Sequence, residues 1–401
     1  MLSTKHILMD PKFKIHIYFM MDMNEYIHLV EPDYYTRFPP LGLLKLASYH
    51  RARGDKVSLM RGCRKIKSKQ EPSRIYITSL FTWAWKPVWQ AVRYYKQNYP
   101  KAEVWLGGIY ASLLKSHAEG SGADVIWSGL FPEAEDMMPA YDLVPNWKST
   151  LLFASRGCIR RCGFCSVPIL EGQINRVKYS IRNLIYQGHT KVIFFDNNIL
   201  TAPNWREIFH ELIELGIRVD FNQGLDAREI DDDVASLLSR MRIDPLVRLA
   251  YDYSNVGYYV ERAIKTLKEY GIRGRDIMVY TLFNYVDDPE DFFRRVRDIL
   301  EWGAVAYPMR YEPLNTLKKN SYISPRWRRE EVEMVQEARR VLGYGGAFPP
   351  YPALIKKFKL AKDFQEAFSL REPTPRRIIS SSMKKRIKEV AIEHGMLNRG
   401  V

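Results

Sequence analysis

The sequence predicts an α/β protein in three parts: a flavodoxin- or Rossmann-like doubly wound domain over 12–145, a partial (β/α)6 barrel over 146–315, and a mainly helical extension over 316–401. Three observations predict it. Short apolar runs alternate with helix-period stretches through the first 145 residues or so. A second series of six apolar runs follows a Pro-rich, acidic linker, FPEAEDMMPAYDLVPNWKS, over 131–149. Three of the chain's four cysteines crowd into CIRRCGFC, just after the first run of that second series. Apolar strands alternating with helices imply parallel sheets covered on both faces.

The predicted strands of the first part are 14–20 (KIHIYFM), 56–60 (KVSLM), 74–80 (RIYITSL), 103–108 (EVWLGG) and 124–129 (DVIWSG). Helical patterns fill the gaps, namely LGLLKLASYHRARG, KPVWQAVRYYKQNY and YASLLKSHAEG, with Gly54 and Gly120 where C-caps are expected. Such a sheet binds ligands at its strands' carboxyl ends. The barrel strands are 151–155, 191–196, 218–223, 246–251, 276–282 and 304–311, the first five each followed by a helical stretch. The extension holds a helix, PRWRREEVEMVQEARRVLG, a Gly/Pro-rich turn, YGGAFPPYP, and two further helical patterns. It suits closure of the barrel's open side. Trp327, Tyr344, Phe348 and Tyr351 around the turn read mostly as core, with stacking on a nucleobase as the alternative.

With 46% hydrophobic and 27% charged residues over 401, the chain reads as a soluble globular protein of two or more domains. No run approaches the roughly 18 apolar residues of a membrane span. The start, MLSTKHILMDPKFK, lacks a signal-peptide pattern. Sparse, clustered cysteine fits a reducing, cytoplasmic setting. The net charge of +15 suits a polyanionic partner such as nucleic acid, or simply a solvated basic surface. Its densest run is Arg376, Arg377, Lys384, Lys385, Arg386 and Lys388.

Cys158, Cys162 and Cys165 stand at x3 and x2 spacing after LLFAS and a tight SRG turn. Three thiolates can hold three corners of a cubane iron–sulfur cluster and leave the fourth iron without a protein ligand. An electron-transfer site would supply a fourth cysteine, and a structural zinc site four closed ligands. A zinc knuckle or chance clustering is the competing reading. The motif resembles that of the radical S-adenosylmethionine (SAM) enzymes, CxxxCxxC after the first barrel strand, with Phe164 as the aromatic residue before the last cysteine. The resemblance implies a [4Fe-4S] cluster that reduces SAM bound at the open iron. A 5'-deoxyadenosyl radical then abstracts a hydrogen atom. It also implies an external reductant such as flavodoxin or ferredoxin.

In that family SAM lies at the barrel mouth. Strand position then nominates Asp196, Asn197 and Asn198 for the ammonium, with an Asp-Asn-Asn helix cap as the alternative. Gln223, Asp226 and Arg228 follow the third strand near the nucleoside, Arg228 or Arg248 serving the carboxylate. Asp252 suits a ribose hydroxyl, and Met309 the adenine. Arg310, Tyr311 and Glu312 on the last strand are candidates for substrate binding, or Arg310 and Glu312 for a structural pair.

The first part resembles the cobalamin-binding domain that precedes many radical SAM barrels, through PPLGLLKLASYHRARGDKV, ITSLFTW and LGGIYAS. The resemblance places Ser79, Leu80 and Thr82 near the corrin, and Gly107-Gly108 against its nucleotide tail. The family's Asp-x-His-x-x-Gly is missing: MDMNEYIH puts Asn24 two residues after Asp22, so axial histidine ligation is not expected. Two readings stay open: methylation of an unactivated carbon using cobalamin, or cobalamin-independent rearrangement, cyclisation or dehydrogenation. Cys63 alone remains outside the motif, so no second cysteine-held cluster is available.

Overall fold

A computed structural model describes residues 24–370 of the chain. The predicted strand over 14–20 and the basic run from Arg376 to Lys388 lie outside the described residues.

Within them the first element is β1 (Tyr26–Glu31), followed by α1 (Leu41–Ala52), β2 (Lys56–Arg61), β3 (Arg74–Thr78), α2 (Trp85–Asn98), β4 (Glu103–Gly107), α3 (Ile109–Leu113), α4 (Lys115–Glu119) and β5 (Val125–Ile126). The five strands form one sheet in the order β2-β1-β3-β4-β5, every pair parallel. This is the doubly wound order with its switch between β1 and β3. YIHLVE is buried at all six positions, as a central strand covered on both faces must be. The helical pattern over 110–120 breaks at Leu114 into α3 and α4. Gly54 ends α1 in the left-handed region at φ +90. Gly120 does not: it is right-handed, and a Cβ there would stand 2.9 Å from the edge of the Trp89 ring.

All six predicted barrel strands are present, and a two-residue strand joins them: in chain order β6 (Thr150–Leu152), β7 (Lys191–Phe194), β8 (Arg218–Phe221), the additional β9 (Arg242–Ile243), β10 (Val247–Ala250), β11 (Ile277–Phe283) and β12 (Val305–Arg310). They pair in parallel as β6-β7-β8-β9 and β10-β11-β12, and Leu225 N–H to Arg248 O (2.8 Å) joins the two ladders. Between β6 and β7 the expected long helix is missing. The chain makes α5 (Val167–Leu170) and a 3-10 turn, because the cysteine loop and its return consume the segment. Longer helices follow the other strands: α6 (Trp205–Leu215), α7 (Asp232–Arg240), α8 (Gly257–Glu269), α9 (Pro289–Glu301) and α10 (Arg329–Val341).

Pro308 sits in β12, which is tolerated because β12 is an edge strand and loses no ladder donor. The extension covers that edge: Ala306 and Phe348 exchange backbone bonds of 3.0 and 2.7 Å. With α11 (Pro352–Leu360) and α12 (Phe364–Phe368), it buries Trp327 against Phe292 and Phe364 and Phe348 against Phe358 and Phe368, while Tyr344 and Tyr351 stay exposed.

Candidate active site

β6 delivers the chain into the loop over 153–175. Gly157 turns it at φ +80, where a Cβ would stand 2.1 Å from Gln173 O and 2.9 Å from Gly172 O, so no larger residue fits. An antiparallel bridge closes the loop, Arg156 and Asn175 exchanging two bonds of 2.9 Å. Cys158 N–H donates to Gly172 O (3.0 Å) and Cys165 N–H to Cys162 O (3.0 Å).

The cysteines are half-buried and converge. Burial pushes the Cys162 thiol up, neighbouring Cys165 and Cys158 add to this, and Arg228 opposes it. Burial likewise raises Cys165, with Cys158 adding to it and Val167 N–H opposing. Arg160 N–H reaches Cys158 Sγ at 3.3 Å and Val167 N–H reaches Cys165 Sγ at 3.4 Å, bonds that stabilise negative charge on sulfur. Among the described residues no group of three His, Cys, Asp or Glu side chains is placed to hold one metal ion. Thiols are the donor type an iron–sulfur cluster takes, and this loop offers three.

Beside the loop, Asp226 is a hub. Its carboxylate accepts from Arg160 Nε (2.9 Å), Asn198 Nδ2 (3.0 Å), and Arg228 Nε (2.7 Å) and Nη2 (3.0 Å). Burial works against its ionisation, but the bonds from Arg228 and Arg160 outweigh it and hold the carboxyl below its usual range. Asn198 is buried and spends Nδ2 on Asp226, while its Oδ1 has no hydrogen-bond partner. An orphaned acceptor there suits the ammonium of a ligand. Asn198 caps no helix through its side chain.

Asp196 is placed differently. It accepts from Ala154 N–H (2.9 Å), Ser155 N–H (2.6 Å) and Ser155 Oγ (2.9 Å), locking the ends of β6 and β7 together, and burial pushes its carboxyl up to about 6. Asn197 donates to Glu171 (3.0 Å). Gln223 is exposed at the mouth. Arg248 lies inside the barrel, ion-paired with buried Asp220, away from the mouth. Asp252 accepts from Leu282 N–H (3.0 Å); burial pushes it up to about 6, and its charge acts on both Cys162 and Cys165.

Met309 is 41% exposed. Arg310 Nη2 donates to Asn320 O (3.0 Å) and Tyr322 O (2.8 Å), and its Nε lies 3.7 Å from Glu312, which accepts Asn320 N–H at 2.9 Å. The pair thus holds the segment after β12. The Tyr311 ring lies tilted against Tyr285 (4.5 Å between centroids), and Tyr285 and Tyr253 each lie 5.8 Å from Phe164. Tyr253 and Tyr285 escaped the sequence reading; their signal was their place just after the fourth and fifth barrel strands.

In the N-terminal sheet, Ser79 is buried and commits its hydroxyl to Gly107 O (2.6 Å) and Ala111 N–H (3.2 Å). Gly108 lies at φ +102 with Ser79 O 2.4 Å from where its Cβ would be, so the β3 and β4 ends meet backbone to backbone. Leu80 is 37% exposed and Thr82 is buried. α3 packs against α5, which brings these carboxyl ends up to the cysteine loop. Trp85 Nε1 also donates to Leu317 O (3.2 Å) from the segment after β12. A cleft of about 500 Å³ opens between the β1 and β2 ends and the linker, walled by Arg37, Phe38, Arg61 and Trp147. Because the first described strand is 26–31, Asn24 precedes it; the segment that follows it, PDYYTRFPP, still contains no histidine. His28 is inside β1, bonded to Ser58 Oγ (2.7 Å) and pushed down to about 4 by burial.

Two solved structures of the radical SAM methyltransferase TsrM from Kitasatospora setae share this architecture at 13% identity and a TM-score of 0.55. One holds a tryptophan substrate and the analogue aza-SAM, the other cobalamin and a [4Fe-4S] cluster; the likeness covers 80% of this chain and 77% and 76% of theirs. Coproporphyrinogen III oxidase (HemN) from Escherichia coli, a radical SAM enzyme, is a more partial match, at 12% identity and a TM-score of 0.32 over 52% of this chain and 57% of its own. No family model and no curated protein matches the sequence. The chain has the fold of a radical SAM enzyme with a cobalamin-binding-like domain. In particular, it is the fold seen in TsrM. Among the described residues, no helix is long and apolar enough to cross a membrane.

Proposed function

We propose that this chain is a radical SAM enzyme that uses one [4Fe-4S] cluster and methylates an unactivated carbon with the help of cobalamin. The observation that carries the reading is the glycine-locked loop presenting Cys158, Cys162 and Cys165 at a barrel mouth that faces the carboxyl ends of a doubly wound sheet. The bound groups would supply a 5'-deoxyadenosyl radical to remove a hydrogen atom and a methyl group to replace it.

The chain's own residues hold and screen the reactants. The three thiolates bind the cluster, and Arg160 and Val167 N–H groups temper its sulfur charge. Asn198 Oδ1 receives the SAM ammonium. Asp226 orients Arg228 toward the SAM carboxylate and fixes Arg160 in the loop. Phe164, Tyr253 and Tyr285 keep water from the reacting centre. Leu80 and the Gly107-Gly108 turn form the corrin-facing surface of the N-terminal domain. A reductant of the flavodoxin or ferredoxin type supplies electrons, in a reducing cytoplasm.

A second reading, cobalamin-independent radical chemistry, is favoured by one observation: Ser79 spends its hydroxyl within the fold and does not offer it to a nucleotide tail. Anaerobic purification from cells supplied with cobalamin, followed by an absorption spectrum and corrinoid extraction, separates the two. Stoichiometric corrinoid beside cluster absorbance supports the methylase. Cluster without corrinoid removes it.

A further inference from the structure

A buried network of four charged side chains joins the N-terminal domain to the cysteine loop. Lys45 on α1 donates to Glu135 O (2.6 Å) and stands 3.1 Å from its carboxylate. Arg156, two residues before Cys158, donates from Nε (2.8 Å) and Nη2 (2.7 Å) to Glu135 and from Nη1 to Glu171 (3.1 Å). Its guanidinium carbon stands over Phe153, 3.3 Å from the ring centroid. Glu171 then accepts Gly157 N–H (3.0 Å) and Asn197 Nδ2 (3.0 Å). The side chains of Lys45, Glu135, Arg156 and Glu171 are only 10, 9, 9 and 15% exposed.

We propose that this network positions the cysteine loop from the N-terminal domain and thereby sets the reduction potential of the cluster it holds. The proposal rests on the reading that Cys158, Cys162 and Cys165 carry a cluster.

Two cations face two anions, so the network is neutral as a whole, and losing any one member leaves a buried charge without its partner. Such networks are complete or badly strained, with little between. The path is short and directional. Lys45 and Glu135 are 90 residues apart, and Glu135 lies 21 before Arg156, so the fold alone brings them together. From Arg156 the connection reaches Gly157 N–H, one residue from the first cysteine. At the loop's other end Glu171 N–H donates to Val167 O (2.9 Å), the residue whose own N–H reaches Cys165 Sγ at 3.4 Å. A negative charge beside an iron–sulfur cluster disfavours adding an electron, and N–H···S geometry tunes the same potential. Both levers are in the hands of Glu171. Arg51 and Asp142 offer an internal contrast. They also tie α1 to the linker, by a bidentate pair of 2.8 and 2.9 Å, but are substantially exposed and do not reach the loop.

The test is an EPR-monitored redox titration of the full-length, anaerobically reconstituted chain, with iron and sulfide content and melting temperature measured on the same samples. Glu171→Gln should move the midpoint upward, giving about tenfold more reduced cluster at a fixed poise, a one-electron shift of about 59 mV. Glu135→Gln, which alters no residue between Cys158 and Cys165, should move it the same way by less. Asp142→Asn should lower the melting temperature and leave the potential unmoved. If both Gln variants hold a full cluster at the wild-type potential, the proposal is wrong and the network is structural only. If Glu171→Gln assembles no cluster, Glu135→Gln and Glu171→Asp decide: the first must shift the potential and the second must restore it toward wild type. A wild-type chain that binds no cluster overturns the underlying reading instead.

Discussion

Gly157→Ala should abolish cluster binding without unfolding the protein. The added methyl would stand 2.1 Å from Gln173 O and 2.9 Å from Gly172 O, both backbone atoms that no side-chain rotation can clear. The residue must also hold φ +80, which costs an L residue about 1–2 kcal/mol. Relieving the overlap means parting the loop's two limbs, which are joined by the two Arg156–Asn175 bonds and by Cys158 N–H to Gly172 O. At about 1 kcal/mol each, these three bonds add about 3 kcal/mol. The variant escapes the backbone overlap only by giving up these bonds, so it loses about 3 kcal/mol at the loop and the closed form that presents the cysteines is no longer the populated one. The loop packs on the barrel mouth, so the hydrophobic core under it should survive. The assay is iron and sulfide content with the absorption spectrum after anaerobic reconstitution, beside far-ultraviolet circular dichroism. Near-native dichroism with little cluster is the expected pair of results. A variant that loads iron like the wild type would show that the glycine-locked geometry is not what the cysteines need.

Asp196 makes a pH prediction. Its folded pKa lies above the ordinary 3.8, at about 6, so its contribution to stability is full below the unfolded value and is lost as pH rises through 6. Between pH 4 and 7 the wild type should lose about 3 kcal/mol more than Asp196→Asn, measured by urea unfolding of cluster-free protein; equal losses would refute the assignment. Gly108→Ala should destabilise the N-terminal sheet by about 3 kcal/mol, since its Cβ would meet Ser79 backbone at 2.4 Å; an unchanged urea midpoint would contradict this. Asp226→Asn releases Arg160 and Arg228 from their anchor, so SAM affinity should fall about tenfold in anaerobic calorimetry on the cluster-loaded protein, and an unaltered Kd would exclude Asp226 as the organiser of that corner.

The order of elements was legible because apolar runs such as KVIFFD and DIMVYTL are short, buried on both faces and flanked by helix-period stretches. Four of the five strands of the N-terminal sheet and all six barrel strands follow from that pattern. YIHLVE was missed because KIHIYFM, a few residues earlier and outside the described residues, carries a similar apolar pattern in the sequence; YIHLVE is identified by its pairing with β2 and β3. The absent helix after β6 was hidden for the opposite reason. Its segment contains helix-compatible residues, but the bridge from Arg156 to Asn175 spends the chain on a closed loop.

At the site, the cysteine cluster stands out in the sequence by its spacing after an apolar run. Their surroundings are not, because polar residues at strand ends turn toward one another in ways that local sequence does not specify. Asp196 faces inward to three donors, Arg248 pairs with Asp220 inside the barrel, and Asp226 collects two arginines and an asparagine. Glu135, Arg156 and Glu171 left no signal because each partner comes from a different stretch of chain, and only folding neutralises them together.

The central claim, that three cysteines hold a cubane with one iron open to SAM, is tested most directly by EPR of the reduced, reconstituted chain with and without SAM. The account predicts one [4Fe-4S] signal per chain whose g values move when SAM is added, and its loss when any one of Cys158, Cys162 and Cys165 is changed to alanine. A chain that assembles no such cluster, or a signal indifferent to SAM, would contradict it.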